Sequence, residues 1–343
     1  GWFQKKNNIA KNDLLHQASH ADLTQLQNDI ALNITNSYLR ILLAKEQIKI
    51  HLQQLEVSNR QVKRTETLLA AGRSNGQDLA QVKAQLSGDS ANYFKAMLIL
   101  QQTNIDMKAI LNFQLNDSLE IAQLDINQID ADLLLSDPET IYKDAEFMSQ
   151  SIKSSDLKML ITQKDIDISR SALYPQISIG ISAGTNYSSS FSQLSPIGEV
   201  KTMSFGRQFQ NNFSQRLSLG LTLPIFNGFR DRYAVKISQL TFNSVHLYNL
   251  EVRASLRQEI YKACNDMRAA YQACAATNAS LKFAQTALEY AQKRFDKGLI
   301  NAIELLIAQN AVFKASVDST SAKYDYIFKQ MVLQYYLSAG VFK

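Results

Sequence analysis

The interval from Phe229 to Lys297 contains neither glycine nor proline, and it limits what this 343-residue chain can fold into. It is rich in Ala, Leu, Gln, Glu, Lys and Arg, the residues that lose least free energy on entering a helix. One helix of this length would run roughly 100 Å, whereas helices in globular domains average about 11–12 residues. A second interval of similar length, Trp2 to Ala71, is equally free of helix breakers. We therefore predict a mainly α-helical protein in which two very long helices form the walls of a tube.

Each long interval ends at a glycine, Gly72 or Gly298, and a second helical segment follows each glycine. A short link makes neighbouring helices antiparallel, so the chain is predicted to form two long antiparallel helical hairpins packed as in a coiled coil. When the chain is laid over itself with Gly72 on Gly298, Asp78 falls on Glu304. These coincidences predict an internal two-fold structural repeat.

Two segments between the hairpins change the hydrophobic pattern from helical to alternating. From Ile177 to Ala183, and from Phe213 to Ile225, apolar residues alternate with small or polar ones, which is typical of strands with one apolar face. Strands of about ten residues suit either a membrane-spanning barrel or a soluble hairpin on a helical core. The loop between them, about 184–211, is long for a soluble hairpin and normal on the external side of an outer-membrane barrel.

The remaining composition points away from several classes of site. The excess of Lys and Arg gives a net charge of +5 without a basic block, so we expect no nucleic-acid partner. His16 and His20 have a metal-ligand spacing but no third ligand, and we interpret them as an exposed pair. Cys264 and Cys274 are interpreted as small buried residues. No nucleotide-binding or nucleophile motif occurs, so we predict no cofactor, no metal and no enzymatic activity.

Several motifs together point to one family. They are Ala172-Leu173-Tyr174-Pro175-Gln176-Ile177 before the first strand, Pro224-Ile225-Phe226-Asn227-Gly228-Phe229 after the second, Arg294-Phe295-Asp296-Lys297-Gly298-Leu299 at the second tip, Glu304-Leu305-Leu306-Ile307-Ala308-Gln309 beyond it, and Leu68-Leu69-Ala70-Ala71-Gly72 with Asp78-Leu79-Ala80-Gln81 at the first tip. In this combination, over nearly its whole length, the chain resembles the TolC-type outer-membrane efflux proteins.

The resemblance implies a passive exit duct of a tripartite efflux or type I secretion system. It implies a homotrimer in the outer membrane and periplasm, in contact with outer-membrane lipid, with four strands per protomer in a shared barrel and helical hairpins forming a tunnel. It also implies two partners, a periplasmic adaptor (membrane fusion) protein and an inner-membrane pump. The transported substrate and the class of pump stay open. The alternative is a soluble helical coiled-coil scaffold without channel activity.

On this basis the chain divides into five predicted segments. They are a first helical hairpin at 1–112 with its tip near 72–78, an equatorial segment at 113–140, a connecting helix at 141–173, a β-barrel hairpin with a long external loop at 174–227, and a second helical hairpin at 228–343 with its tip near 298–304. Because Gly1 aligns with Gly228, the first repeat's own β-hairpin would precede residue 1, and we expect the chain to be a fragment.

The resemblance also implies a pore aperture near the second tip. Glu304 keeps the acidic residue of the family's aperture ring, and Asp78 is its counterpart in the first repeat. Ile307, one turn on, replaces a second acid, and three copies would form an apolar ring that constricts by dewetting. The family's tip arginine falls at Ile300, so its salt-bridge latch is not carried over.

The adaptor is expected to contact the hairpin tips. Gly72 and Gly298 are predicted left-handed turn residues whose bare backbone would let an adaptor hairpin pack closely. Three neighbours of these glycines complete the predicted contact: Arg73, Lys297 and Leu299.

Overall fold

The computed structural model describes residues 2–117, 119–122, 134–194 and 200–337. The helices are α1 Trp2–Ala70, α2 Gly76–Ile110, α3 Pro138–Met148, α4 Gln150–Ser171, α5 Phe205–Asn211, α6 Arg230–Asp296 and α7 Ala302–Leu337. The strands are β1 Gln176–Gly184, β2 Ser192–Leu194, β3 Val200–Thr202 and β4 Ser214–Thr222. The prediction of a mainly helical protein with two very long helices is confirmed, since α1 and α6 contain 69 and 67 residues.

The chain forms two compact units, and each is built from two separate stretches. The first unit comprises Gly1–His20 and Lys153–Leu250, and the second comprises Ala21–Ile152 and Glu251–Lys343. The five predicted segments follow the order of the chain instead, and that division stays a prediction. Among the described residues, no helix combines the length and the apolar content needed to cross a membrane.

The first unit contains the predicted strand pair. β1 and β4 are antiparallel, with Gln176 opposite Thr222 and Gly184 opposite Ser214. The apolar side chains of one face, from Ile177 to Leu221, are largely exposed, as are the small residues of the other face. At Gly180 an added Cβ would lie 2.7 Å from the Ser218 hydroxyl oxygen, so the Ser218 side chain would have to rotate away. The alternating pattern thus predicted the positions of both strands.

The segment between β1 and β4 is more ordered than the predicted loop. It contains the β2–β3 pair and α5. The buried side chain of Gln208 organises it: its Nε2 donates to the carbonyls of Ser188 and Met203 at 3.0 and 2.7 Å, and its Oε1 accepts from the Ser188 backbone N–H at 2.9 Å. One side-chain amide therefore pairs with three backbone groups. Hydrophobic periodicity does not predict this role for Gln208.

The connecting helix predicted at 141–173 is not continuous, because α3 ends at Met148 and α4 begins at Gln150. Ser149 adopts an extended backbone (φ −64°, ψ 122°), which ends α3. Its backbone N–H donates the last helical hydrogen bond, to the Ala145 carbonyl. The Ser149 hydroxyl then accepts from the backbone N–H of Ile152 at 3.4 Å, as a helix N-cap does. In the predicted equatorial segment, the described residues 119–122 form no strand, and residues 123–133 lie outside the described residues.

The second unit holds the larger core. Its centre is formed by the side chains of α6 and α7, where Ile260 and Leu333 are fully buried, and α3 adds Ile141. Cys264 and Cys274 are free and buried in this core, so their interpretation is confirmed. A smaller cluster joins Leu39 and Leu42 of α1 to Ile327 of α7, and four partly buried side chains pack against it: Tyr38, Tyr324, Phe328 and Met331.

A buried polar layer joins α1, α2 and α7 in the second unit. Asp89 is 3% exposed, and its carboxylate accepts from Gln54 Nε2 at 3.2 Å, Ser58 Oγ at 2.5 Å and Gln85 Nε2 at 2.9 Å. Asn310 closes a ring: its Oδ1 accepts from Gln54 Nε2, and its Nδ2 donates to Gln85 Oε1, each at 3.2 Å. Because buried polar groups are costly when unpaired, this ring favours one alignment of the three helices.

We expect Asp89→Ala to lower the free energy of unfolding by about 3 kcal/mol, because the buried donors of Gln54 and Ser58 and the half-buried Gln85 would lose their shared acceptor. Urea unfolding followed by circular dichroism measures this change. Asp106→Ala is a matched control on the same helix. The exposed Asp106 carboxylate accepts from Gln102 Nε2 at 2.8 Å, four residues earlier, as Asp89 does from Gln85. Its loss should cost less than about 0.5 kcal/mol, and equal costs for the two variants would contradict the role of the layer.

Candidate functional site

The two long helices end in the same backbone geometry, and this geometry builds the tips. At the first tip, Gly72 N–H donates to the Leu69 carbonyl at 3.0 Å, and Arg73 N–H donates to the Leu68 carbonyl at 2.8 Å. These two bonds form a Schellman motif, which needs a left-handed residue, and Gly72 has a φ of +69°. The bonds satisfy carbonyls that the helix end would otherwise leave unpaired.

The second tip repeats this arrangement. Gly298 N–H donates to the Phe295 carbonyl and Leu299 N–H to the Arg294 carbonyl, both at 2.9 Å, and Gly298 has a φ of +72°. Its neighbour Lys297 is exposed, as is Arg73 at the first tip. The two glycines are therefore the left-handed turn residues that were predicted.

The return helices also begin alike. The Asn75 side-chain oxygen accepts from the Asp78 backbone N–H at 2.8 Å, and the Asn301 oxygen accepts from the Glu304 backbone N–H at 2.9 Å. Each acid therefore lies in a first helical turn, where the helix dipole favours negative charge. The matching caps occur at residues that the overlay of the chain on itself superimposes. The repeat beyond the tips stays a prediction.

The predicted aperture residues differ in their surroundings. Glu304 is exposed, and Ile307 one turn on is 64% exposed. Asp78 is half-buried and accepts from the Ser74 hydroxyl at 3.1 Å. Ile300, at the family's arginine position, is buried. The structure therefore leaves Glu304 and Ile307 on a free surface of α7, while Ile300 contributes to packing.

The predicted adaptor-contact residues are all exposed. Gly72, Arg73, Lys297 and Gly298 share this property, and Leu299 is 64% exposed although it is a large apolar residue. An exposed leucine beside a bare glycine backbone offers apolar area that another chain can cover.

A contact at the base of the tips was not anticipated from the sequence. Arg64 Nη2 of α1 lies 2.9 Å from Asp296 Oδ1 at the end of α6, and its guanidinium stacks 4.5 Å from the centroid of the Phe295 ring. Arg64 and Gln292 both donate to Asp296 and hold its pKa below the ordinary value, with the Arg64 hydrogen bond as the larger cause. The stabilisation from this carboxylate is therefore present above its ordinary pKa and lost as the pH falls through the lowered value.

No pattern along the chain marks this pair, because its partners are more than two hundred residues apart. Arg64 is one of many charged residues on a broadly polar helix, and it gains its role only because α1 and α6 meet there. A second ion pair stays near the first tip, where Lys83 Nζ of α2 lies 2.9 Å from Glu66 Oε1 of α1.

Two pairs of residues, one of histidines and one of tyrosines, are not part of the helix tips. His16 and His20 are exposed, and no cluster of metal-ligating side chains occurs within the part of the chain that the structure describes. Tyr335 and Tyr336 are packed in the second unit, where the Tyr336 hydroxyl donates to Glu259 Oε2 at 3.4 Å. Burial raises the pKa of both tyrosines, so both hydroxyls remain protonated donors at neutral pH.

We expect Gly298→Ala to destabilise the protein by about 1 kcal/mol, because alanine pays a steric cost in the left-handed conformation. Gly72→Ala should behave in the same way. Gly88→Ala is the control: Gly88 lies inside α2 and an added Cβ there meets open space, so we expect it to stabilise by about 0.5–1 kcal/mol. Thermal unfolding of the three variants compares the signs, and a Gly298→Ala variant as stable as Gly88→Ala would refute the turn geometry.

Comparison with known proteins agrees with this architecture. The outer membrane efflux protein family matches residues 141–337, more than half of the chain. The chain is 20% identical over 334 residues to the outer membrane protein TolC of Vibrio cholerae, an alignment that covers 97% of this chain and 73% of that protein. It is 21% identical over 314 residues to TolC of Salmonella enteritidis, covering 91% of this chain and 61% of that protein. The chain thus spans less than two thirds of the second relative.

A solved structure shows the same fold. The crystal structure of the outer membrane protein VceC from Vibrio cholerae superimposes with a TM-score of 0.79 at 15% identity, over 98% of this chain and 76% of that chain. The predicted outer-membrane location and efflux class are confirmed by the family. Taken with the paired helix tips and the exposed strand pair, these matches establish that the chain belongs to the outer membrane efflux protein family.

Proposed function

We propose that this chain is the passive exit duct of a tripartite efflux or type I secretion system. Family membership carries the proposal, because the family is that of outer membrane efflux proteins and the similar proteins TolC and VceC are outer membrane proteins. Such a duct does no chemistry of its own, and its walls need only a stable backbone and a controlled opening. The alternative of a soluble scaffold without channel activity receives no support from these relatives.

In this proposal three copies assemble around one axis. The long helices α1, α2, α6 and α7 form the tunnel wall, and β1 and β4 contribute to a shared barrel in contact with outer-membrane lipid. Two features support the assembly. The apolar face of the β1–β4 pair is exposed in the single chain, and both strands have unpaired edges among the described residues, which further strands must cover.

The aperture is assigned to the second tip. Glu304 from each copy would form an acidic ring that favours cations, and Ile307 would form an apolar ring one turn along. Asp78 occupies the equivalent position at the first tip. The exposure of Glu304 and Ile307 supports this assignment, since neither side chain is committed to the core of its own chain.

The adaptor is assigned to the ends of the hairpins. Gly72, Arg73, Lys297, Gly298 and Leu299 lie at exposed turns whose backbone is held by the two Schellman motifs. A preformed turn binds with little ordering cost. The inner-membrane pump would meet the duct through this adaptor, and it would supply the energy of transport.

Trimer formation is tested by native mass spectrometry of the protein extracted in mild detergent. We expect a single species of three chains that keeps its mass on dilution, because obligate interfaces are large and apolar. A stable monomer or dimer would contradict the duct and would favour the scaffold alternative.

The aperture is tested by single-channel recording in planar lipid bilayers. We expect Glu304→Ala to raise the conductance or to weaken block by multivalent cations, because it removes three carboxylates from the narrowest ring. Asp318→Asn is the control, since Asp318 is an exposed acid on the same helix, and it should leave both quantities unchanged. A Glu304→Ala channel with wild-type conductance and block would remove Glu304 from the aperture.

A further inference from the structure

A groove in the second unit is left without a role by the duct function. It lies between α1, α6 and α7, it reaches Arg64 and Lys293 near the base of the tips, and it has a volume of about 850 Å³. Cavities that bind small organic molecules have volumes of about 300–1,000 Å³ and combine an apolar surface with a few polar groups. The size of the groove is therefore compatible with a ligand of that kind.

The floor of the groove is apolar. Val57 of α1, Leu288 of α6, and Val312 and Phe313 of α7 line it, and each is half-buried. Phe313 is held in place by an edge-on contact with the His51 ring, with 5.2 Å between the ring centroids. A flat aromatic or aliphatic body would cover these side chains and remove apolar area from water.

The rim of the groove is cationic. Arg60, Arg64 and Lys293 line it, together with the single acid Glu289. Arg64 is paired with Asp296, and Lys293 Nζ lies 2.6 Å from Glu289 Oε1. Arg60 is exposed and forms no ion pair or hydrogen bond with any residue the structure describes.

Two amides in the groove wall lack partners. Gln61 is 5% exposed and lines the groove, and its Nε2 donor has no hydrogen-bond partner among the described residues. Oε1 of Gln309, also in the lining, has none either. An unpaired buried donor costs about 1–3 kcal/mol. The groove wall therefore contains one amide donor and one amide acceptor that no described residue pairs with.

We propose that this groove binds an amphipathic organic anion, a carboxylate or sulfonate on a flat apolar body. The body covers Phe313 and its apolar neighbours, and the anion pairs with Arg60. Gln61 Nε2 is enclosed in the wall, and a shift of its side chain would bring it to an anionic oxygen. A cation is disfavoured by the positive rim, and a neutral apolar molecule would leave Arg60 paired only with water and Gln61 Nε2 without an acceptor.

The test uses two probes of nearly the same shape, a fluoronaphthoate, which is anionic, and its carboxamide, which is neutral. Their binding to the detergent-extracted protein is measured by fluorine NMR at low salt, with empty micelles as the blank. We expect the carboxylate to bind about fivefold more tightly than the carboxamide, the effect of one solvent-accessible ion pair. The advantage should shrink as salt is added.

Variants locate the site. Arg60→Gln should remove the advantage of the carboxylate, whereas Arg40→Gln, an exposed arginine elsewhere on α1, should leave it intact. Gln61→Leu should weaken binding of the carboxylate while raising thermal stability, because it removes an unpaired buried donor. A purely structural glutamine would change stability alone.

Three outcomes would overturn the proposal. The two probes bind equally, neither probe binds above the micelle blank, or Arg60→Gln and Arg40→Gln have the same effect. None of these outcomes bears on the duct, because trimer mass and conductance are measured without the probes.

Discussion

The left-handed turn at the end of each long helix is the constraint on which the rest of this structure depends. A helix of nearly seventy residues must stop where its last carbonyls find donors, and the chain must reverse there at once. Gly72 and Gly298 meet both needs, because only a residue without a side chain enters this conformation at low cost. The exposed tip residues owe their positions to these two turns, so the proposed adaptor contact is a consequence of how the helices end.

Length by itself does not stabilise such helices, since most helical stability in proteins comes from packing of one face. In the second unit that packing comes from a core of α6 and α7 side chains and from smaller contacts with α1. Apolar seams of this kind permit sliding by a turn, because neighbouring turns look alike. The Asp89 layer opposes such sliding, because its carboxylate, amides and hydroxyl are satisfied in one alignment.

Some surface side chains of these helices pair with other residues of the chain, and others have no such partner. Arg64 is committed to Asp296 and Phe295, whereas Arg60, one turn earlier, is free of described partners beside an apolar groove. Glu304 and Ile307 are similarly uncommitted on α7. Polar and apolar groups without partners in their own chain are the places where another molecule can form new contacts.

The amino-acid sequence alone determined the helix lengths, the glycine turns and the strand positions, because each depends on local propensity or on a repeated pattern of apolar residues. Its motifs carried the resemblance to the family. Only the tertiary structure decided the break at Ser149, the ordering by Gln208, the Asp89 ring and the pairing of Arg64 with Asp296. Each of these joins backbone or side-chain groups through a particular spatial arrangement, and polar partners far apart in the chain leave no periodic trace. Local chemistry therefore predicted where the two tips would be, and packing determined which side chains support them and which stay open.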